Sequence, residues 1–277
     1  MNFKKLLNKS IWIDGFTLAI SIIAAIETIA AISGLALEDF YPSISWDKKL
    51  LVIVGFFLFL WFLVGVIKVW YSSNKIKIKI RNIDITITSG DLFEQNGWRV
   101  IPFNEYYDTQ VDDIVIARNS LNGIFLNKYV DDVSKVNRAI DNYIGVLRTK
   151  TKQNKKCYPL GNIIPYVEDE ANKYMLLALT HFDKNQARIT HEEYEACLIT
   201  MWKEISRVYA YYPVVLPLVG GGITRIDGNS EKNEEQLLRC ILCTLKYSDA
   251  QIGRPITIVL TEDTVKNIDL YNIKKQF

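Results

Sequence analysis

Two stretches near the start of the chain are apolar almost without interruption. They run from Ile11 to Leu37 and from Leu50 to Tyr71. Each is long enough, as a helix, to cross a hydrocarbon core that needs about 20 helical residues. A cleaved leader would have one short apolar core, so two long runs joined by EDFYPSISWDKK predict a hairpin of membrane spans. After Tyr71 the period changes. Lys75 to Thr88 (KIKIKIRNIDITIT) alternates polar and apolar positions, the mark of strands with one buried face.

Further along, short apolar runs alternate with helical spacings. Gly97–Glu105, Ile114–Ala117, NIIPYVE, MLLALTHF, Pro213–Gly220 and PITIVLTE read as strands. Asp131–Leu147, His191–Tyr209 and Glu231–Leu245 read as helices, the last with Ser230 as its N-cap. Lys150–Lys156 reads as an exposed basic loop, and the terminal NIKKQF as a loosely held tail. This order predicts an α/β domain with a mixed, largely buried sheet over residues 75–277, behind a hairpin over residues 1–74.

Basic residues orient the hairpin. Lys4, Lys5 and Lys9 precede the first span, and Lys75, Lys77, Lys79 and Arg81 follow the second. The positive-inside rule places both termini in the cytoplasm of a two-span protein of the cell's inner membrane. The run at Lys75–Arg81 is read chiefly as a topology signal, with contact to anionic lipid following from it.

The spans differ in composition. The second, rich in Leu, Phe and Val and closed by Trp70 and Tyr71, reads as an anchor. In the first, Ile20, Ala24, Glu27, Ala31 and Gly34 recur at helical spacing as a stripe of small residues. A carboxylate inside a span is costly and marks a candidate functional position. Two readings stand for Glu27: a role in membrane self-association or a water-filled path, or a protonated group bonding a Ser or Thr across the hairpin.

The 277 residues carry a formal net charge of +2, which gives no global attraction to nucleic acid. Four scattered cysteines form no disulfide framework and fit a reducing compartment, and with two histidines they suggest no metal site. Cys240 and Cys243 spell C-x-x-C well inside a predicted helix, where they are read as core. His181 closes a predicted strand and is read as structural. The polar Glu105, Tyr106 and Asp108 either meet a ligand headgroup or cap a turn.

Gly220-Gly221-Gly222 follow an apolar strand, at the edge where α/β sheets bind ligands. The spacing is neither a P-loop nor a dinucleotide fingerprint. Carboxylates at Glu231, Glu234 and Glu235 disfavour a phosphate on the next helix, so a phosphate would sit in the glycine loop's own backbone nest. A close-packed turn without ligand is the alternative.

Taken in order, Gly90-Asp91-Leu92, the strand end Pro102-Phe103-Asn104, the glycine-bearing Asn122-Gly123 stretch and the late Gly220–Thr224 loop resemble the macro domain, over roughly Ile83 to Glu262. With the hairpin in front, the chain resembles the membrane-anchored macro-domain effectors of type II Thoeris anti-phage systems. The resemblance implies a macro-like mixed sheet flanked by helices that binds ADP-ribose. In that family a TIR-domain enzyme makes a histidine-conjugated ADP-ribose, and its binding drives oligomerisation, membrane damage and abortive infection. It further implies Asp91 at the adenine with the Leu92 backbone beside it, Asn104 near the distal ribose, and Phe103 and Glu105 as further ligand-binding positions. Asn122, Gly123, Ile124 and Phe125 would form a first phosphate loop, and Gly220, Gly221, Gly222, Ile223 and Thr224 a second. Ser120-Leu121-Asn122-Gly123 stands where hydrolytic members carry Gly-Gly-Gly, which weakens the case for catalysis. The expectation is a binder with no catalytic residues, no metal and no cofactor beyond an ADP-ribose-type ligand, and the alternative is a membrane-tethered ADP-ribosyl hydrolase or an ADP-ribose-reading scaffold.

Overall fold

The computed structural model describes residues 8–33, 45–71, 74–144, 150–152, 155–183, 185–227 and 233–277. Gly34, Leu147, Ser230 and Glu231 lie outside them. The chain forms two compact units, one of residues 1–76 with 269–276 and the other of residues 77–268 with Phe277.

In the first unit, α1 (Lys9–Ser33) and α2 (Trp46–Tyr71) are both long and apolar enough to cross a membrane. They meet where small residues admit aromatic rings. A Cβ on Gly65 would stand 2.5 Å from the Trp12 ring, so only glycine fits there. Trp61 donates from Nε1 to the Trp12 carbonyl at 2.8 Å, and Phe16 meets Phe57 edge to face.

The stripe Ile20, Ala24, Glu27 and Ala31 is exposed, turned away from this contact. Thr17, Ser21, Thr28 and Ser33 each spend their hydroxyl on a carbonyl four residues back in α1. α2 contains no Ser or Thr. A hydroxyl partner for Glu27 across the hairpin is therefore missing among the described residues.

β1 (Lys75–Ile80), which enters the second unit at Lys77, turns back through Arg81 and Asn82 into β2 (Ile83–Ser89), and both bury alternate residues. The remaining strands of the large sheet are β3 (Trp98–Asn104), β6 (Ile163–Val167), β7 (Lys173–Asp183), β8 (Gln186–Ile189), β9 (Val214–Pro217), β10 (Arg225–Ile226) and β11 (Ile256–Leu260). Their order is β1-β2-β11-β9-β3-β7-β8-β10, with β6 beside β7. Pairing is parallel from β2 through β11, β9 and β3 to β7, and antiparallel for β6 and β8 on β7, so the sheet is mixed.

Helices cover the sheet. They are α3 (Leu121–Lys128), α4 (Val133–Asp141), α5 (His191–Val208), α6 (Glu234–Tyr247) and α7 (Glu262–Asn267). One core gathers Ile101, Phe103, Phe125, Tyr174, Leu176 and Ala178. Met175 and Leu177, alternate residues of β7, are equally buried, as are Leu198, Met201 and Trp202 on α5. Trp202 donates from Nε1 to Thr244 Oγ1 at 3.1 Å and ties α5 to α6.

Four expectations need correction. Ile114–Ala117 is not a strand, because Asp112 Oδ1 accepts from the amides of Ile114 and Val115 and Asp113 takes φ +63°, which bends the chain out of extension. Lys150–Lys156 is a ribbon, β4 (Lys150–Lys152) antiparallel to β5 (Lys155–Cys157). The tail is a helix, α8 (Leu270–Gln276), with Leu270 and Ile273 buried. Finally, α6 is capped by Asn233, whose side chain accepts from the Gln236 amide.

Candidate ligand-binding site

The carboxyl ends of β3, β7, β9 and β11 open into a cavity of about 620 Å³. That volume lies within the usual range for a ligand of nucleotide size. Phe103, Asn104, Thr180, Leu218, Val259 and Thr261 form its strand side, Asp113–Ala117 and Asn119–Asn122 with Ile124 one wall, and Gly220–Thr224 another. Among the described residues, Asp113 is the sole charged group of the lining. Its carboxylate sits 3.2 Å from Arg118 Nε. Among the described residues no Lys or Arg lines the cavity, so from these residues an anion there would depend on main-chain and hydroxyl donors.

The glycine turn is shaped from below. Tyr194, buried on α5, donates its hydroxyl to the Val219 carbonyl at 2.7 Å, and burial pushes that phenol's pKa well up. The Gly221 amide closes a turn on the Leu218 carbonyl at 2.9 Å. Gly220 sits at φ +81°, backbone that favours glycine, whereas a Cβ on Gly222 would meet nothing within 4 Å. The triplet thus combines one position whose backbone favours glycine with one whose missing side chain leaves room in the cavity wall.

The first turn of α3, where the resemblance implies a phosphate loop, also lines the cavity. Ser120 makes the difference: its Oγ accepts from the Gly123 amide at 3.2 Å and starts a helix. The positive end of that helix faces the cavity through Ser120, Leu121 and Asn122. Gly123 serves packing, since a Cβ there would lie 2.3 Å from the Ala117 carbonyl oxygen.

Asn104 lines the cavity, but local bonds engage its side chain. Oδ1 accepts from the amides of Tyr106 and Asp108, and Nδ2 donates to Asp108 Oδ2 at 3.0 Å. Asp108 in turn holds Lys155 of β5 at 3.0 Å. Glu105, only 2% exposed, is outside the lining. Its Oε2 lies 2.7 Å from His181 Nδ1 and accepts from Cys157 Sγ, and His181 Nε2 reaches Glu193 at 3.2 Å. Glu193 also closes the capping box of α5, and the Thr190 amide helps hold its pKa below the ordinary range. His181 is therefore a tie between β7, β3 and α5.

Of the other residues singled out in the sequence, Ile124, Ile223 and Thr224 line the cavity, and Phe125 is core. Asp91 and Leu92 do not line it. Asp91 is exposed at the end of β2, where its Oδ1 accepts from the Phe93 amide, while Leu92 is buried. The Gly90 amide bonds the Leu260 carbonyl at 3.1 Å, which sets Asp91 beside the strand end that carries Thr261. Sequence reasoning missed Asn119, Thr180, Asn185, Thr261 and Thr264 of the lining. The carboxyl-edge rule that singled out Gly220 would have reached Thr261, which directly follows β11, whereas Thr180 lies inside β7 and reaches the edge by pairing with Asn104 at the end of β3. Cys240, half-buried on α6, has its thiol pushed up by burial to about 11, which disfavours thiolate chemistry at neutral pH.

Comparison with known proteins bears on this arrangement. The family model described as "Thoeris protein ThsA, Macro domain" matches residues 85–261. The Thoeris protein ThsA of Bacillus amyloliquefaciens (strain Y2) is 31% identical, over 93% of this chain and 88% of that one. The chain belongs to the ThsA family. Solved macrodomains are more distant. A mutant Oceanobacillus iheyensis macrodomain with ADPR is 13% identical at TM-score 0.47, covering 73% of this chain and 97% of that one. The macrodomain of Thermus aquaticus DarG is 13% identical at TM-score 0.42, covering 64% and 97%. As a ThsA macro domain, the second unit carries its cavity at the sheet edge where α/β folds hold ligands.

Proposed function

We propose that this ThsA-family chain is a membrane-anchored anti-phage effector whose macro domain binds an ADP-ribose-type signal made by a partner TIR enzyme. The observation that carries this reading is that one cavity of about 620 Å³ is lined both by the glycine turn Gly220–Gly222 and by the first turn of α3. Main-chain donors and a helix's positive end in one cavity lining suit a diphosphate.

On this reading the protein binds its ligand without turning it over. Asn104, whose counterpart would approach the distal ribose, has both side-chain atoms engaged by Asp108 and two backbone amides. Asp91, outside the lining but next in sequence to the Gly90 amide that bonds Leu260, would meet the adenine only from beyond the cavity's margin. The hairpin crosses the inner membrane with both termini cytoplasmic, and binding favours an assembled state in which exposed faces of α1 that carry Glu27 come together and breach the bilayer. The ligand shifts that balance only by its differential affinity for the two states.

The test is calorimetric titration of the full-length protein, in detergent, with ADP-ribose and amino-acid conjugates of it, alongside an assay for product. Saturable binding with unchanged ligand supports the reading. Turnover of ligand, or no binding of any derivative, refutes it.

A further inference from the structure

The last helix of the chain belongs to the same compact unit as the hairpin. α8 is fastened to α1 at two points. Asn8 donates from Nδ2 to Asp269 Oδ2 at 2.6 Å, and each of these residues caps its own helix, Asn8 accepting from the Ser10 amide and Asp269 from the Asn272 amide. Further along, Tyr271 donates its hydroxyl to Asp14 Oδ2 at 2.6 Å, and Lys275 Nζ lies 2.9 Å from Asp14 Oδ1. Lys68 of α2 stands 6.0 Å from the centre of the Tyr271 ring. A helix of seven residues is too short to hold by itself in water, so α8 exists because it is docked.

The segment leading into α8 comes from the cavity. Val259, Thr261 and Thr264 line it, Thr261 caps α7, and Ile268 alone separates α7 from Asp269. By chain connectivity α1 is otherwise reached from the sheet only through the whole of α2. The route from Thr264 to the Asp269 cap is five residues.

We propose that α8 is the handle by which occupancy of the cavity is conveyed to α1, the helix that carries Glu27. This rests on the ligand-binding reading of the cavity. A ligand that touches Thr261 and Thr264 acts on α7, and α8 carries the change to Asn8 and Asp14. Because coupling is reciprocal, the docking of α8 must in turn affect ligand affinity.

Hydrogen exchange on the full-length protein in lipid nanodiscs, with ADP-ribose as the probe, tests this. In wild type, saturating ADP-ribose should change exchange of the 270–276 amides at least threefold and also alter the first two turns of α1. Asp14→Asn combined with Tyr271→Phe removes the Tyr271 bond and the charge that Lys275 pairs with, with little change of shape. It should speed exchange in 270–276 about tenfold and abolish the response of α1 while ADP-ribose still binds. Lys275→Ala, at a side chain that is 54% exposed, should act in the same direction and less, without threatening the fold. An unchanged 270–276 segment in ligand-saturated wild type, or an α1 response that survives in the double variant, overturns the handle while leaving the binding site standing. Failure of wild type to bind ADP-ribose removes the site and the handle together.

Discussion

Gly220 and Gly222 share one turn, yet the backbone treats them differently, and substituting each separates folding from binding. At Gly220, with φ +81°, a Cβ would stand 3.1 Å from the Tyr194 ring. That ring is buried and fixed by its bond to the Val219 carbonyl, so it has little room to yield. Left-handed backbone costs an ordinary residue about 1–2 kcal/mol. At Gly222 nothing lies within 4 Å of the added carbon and the backbone is outside the left-handed range. Alanine there mainly restricts the unfolded chain, which stabilises by about 0.4–1 kcal/mol.

For a domain of this size 1 kcal/mol moves Tm by about 2–4 °C, so Gly220→Ala should melt about 2–8 °C below wild type and Gly222→Ala at or slightly above it. Gly222→Leu puts a side chain where the diphosphate is expected, and ADP-ribose affinity should fall at least about tenfold, or 1.4 kcal/mol, with little loss of Tm. Fluorescence of Trp202, buried between α5 and α6, reports unfolding of the sheet, and calorimetry reports binding. A Gly222→Leu protein that binds like wild type would show that the turn does not face the ligand. A Gly220→Ala protein that melts like wild type would show that Tyr194 does not press on the turn.

Gly123→Ala drives a carbon to 2.3 Å from a carbonyl oxygen and should destabilise by more than about 2 kcal/mol in denaturant titration, whatever its effect on ligand. The Tyr166 hydroxyl and Lys135 hold the Glu168 carboxyl below its usual pKa, so its contribution is whole above the unfolded pKa of about 4.3 and is lost as pH falls through the lower folded value. Glu168→Gln should therefore cost stability at pH 7 and much less near pH 3, and an equal loss at both would point to shape, not charge. In the hairpin, Gly65→Leu collides with Trp12, which is itself packed on Trp61 and Phe62. Cysteine cross-linking between α1 and α2 should fall at least several-fold, and unchanged cross-linking would contradict the close approach.

These sites differ in how far the sequence announced them, and the difference has a physical cause. The hairpin, the alternating strands β1 and β2 and the buried β7 rest on patterns repeated over many residues, so one misleading position leaves the pattern readable. The walls of the cavity are set by single side chains. Asp112 gathers two amides and turns Ile114–Ala117 from an expected strand into a cavity wall, and Ser120 turns an expected loop into α3. Neither residue type is unusual, and neither effect repeats along the chain.

The tail was misread for a third reason. NIKKQF is polar by composition, and its order comes from Leu270 and Ile273 one turn apart and from Asp14, 257 residues away from Tyr271. No window of sequence contains both partners. The same holds for the Glu105–His181 tie, whose residues lie 76 apart. Local pattern thus identified the elements and the glycine turn, whereas the contacts that connect them depend on pairings that only the folded chain brings about. In this protein the clearest of those pairings fasten the chain's last helix to its first, so the coupling proposed above rests on contacts that no local pattern announces and is most open to test by mutation at Asp14, Tyr271 and Lys275.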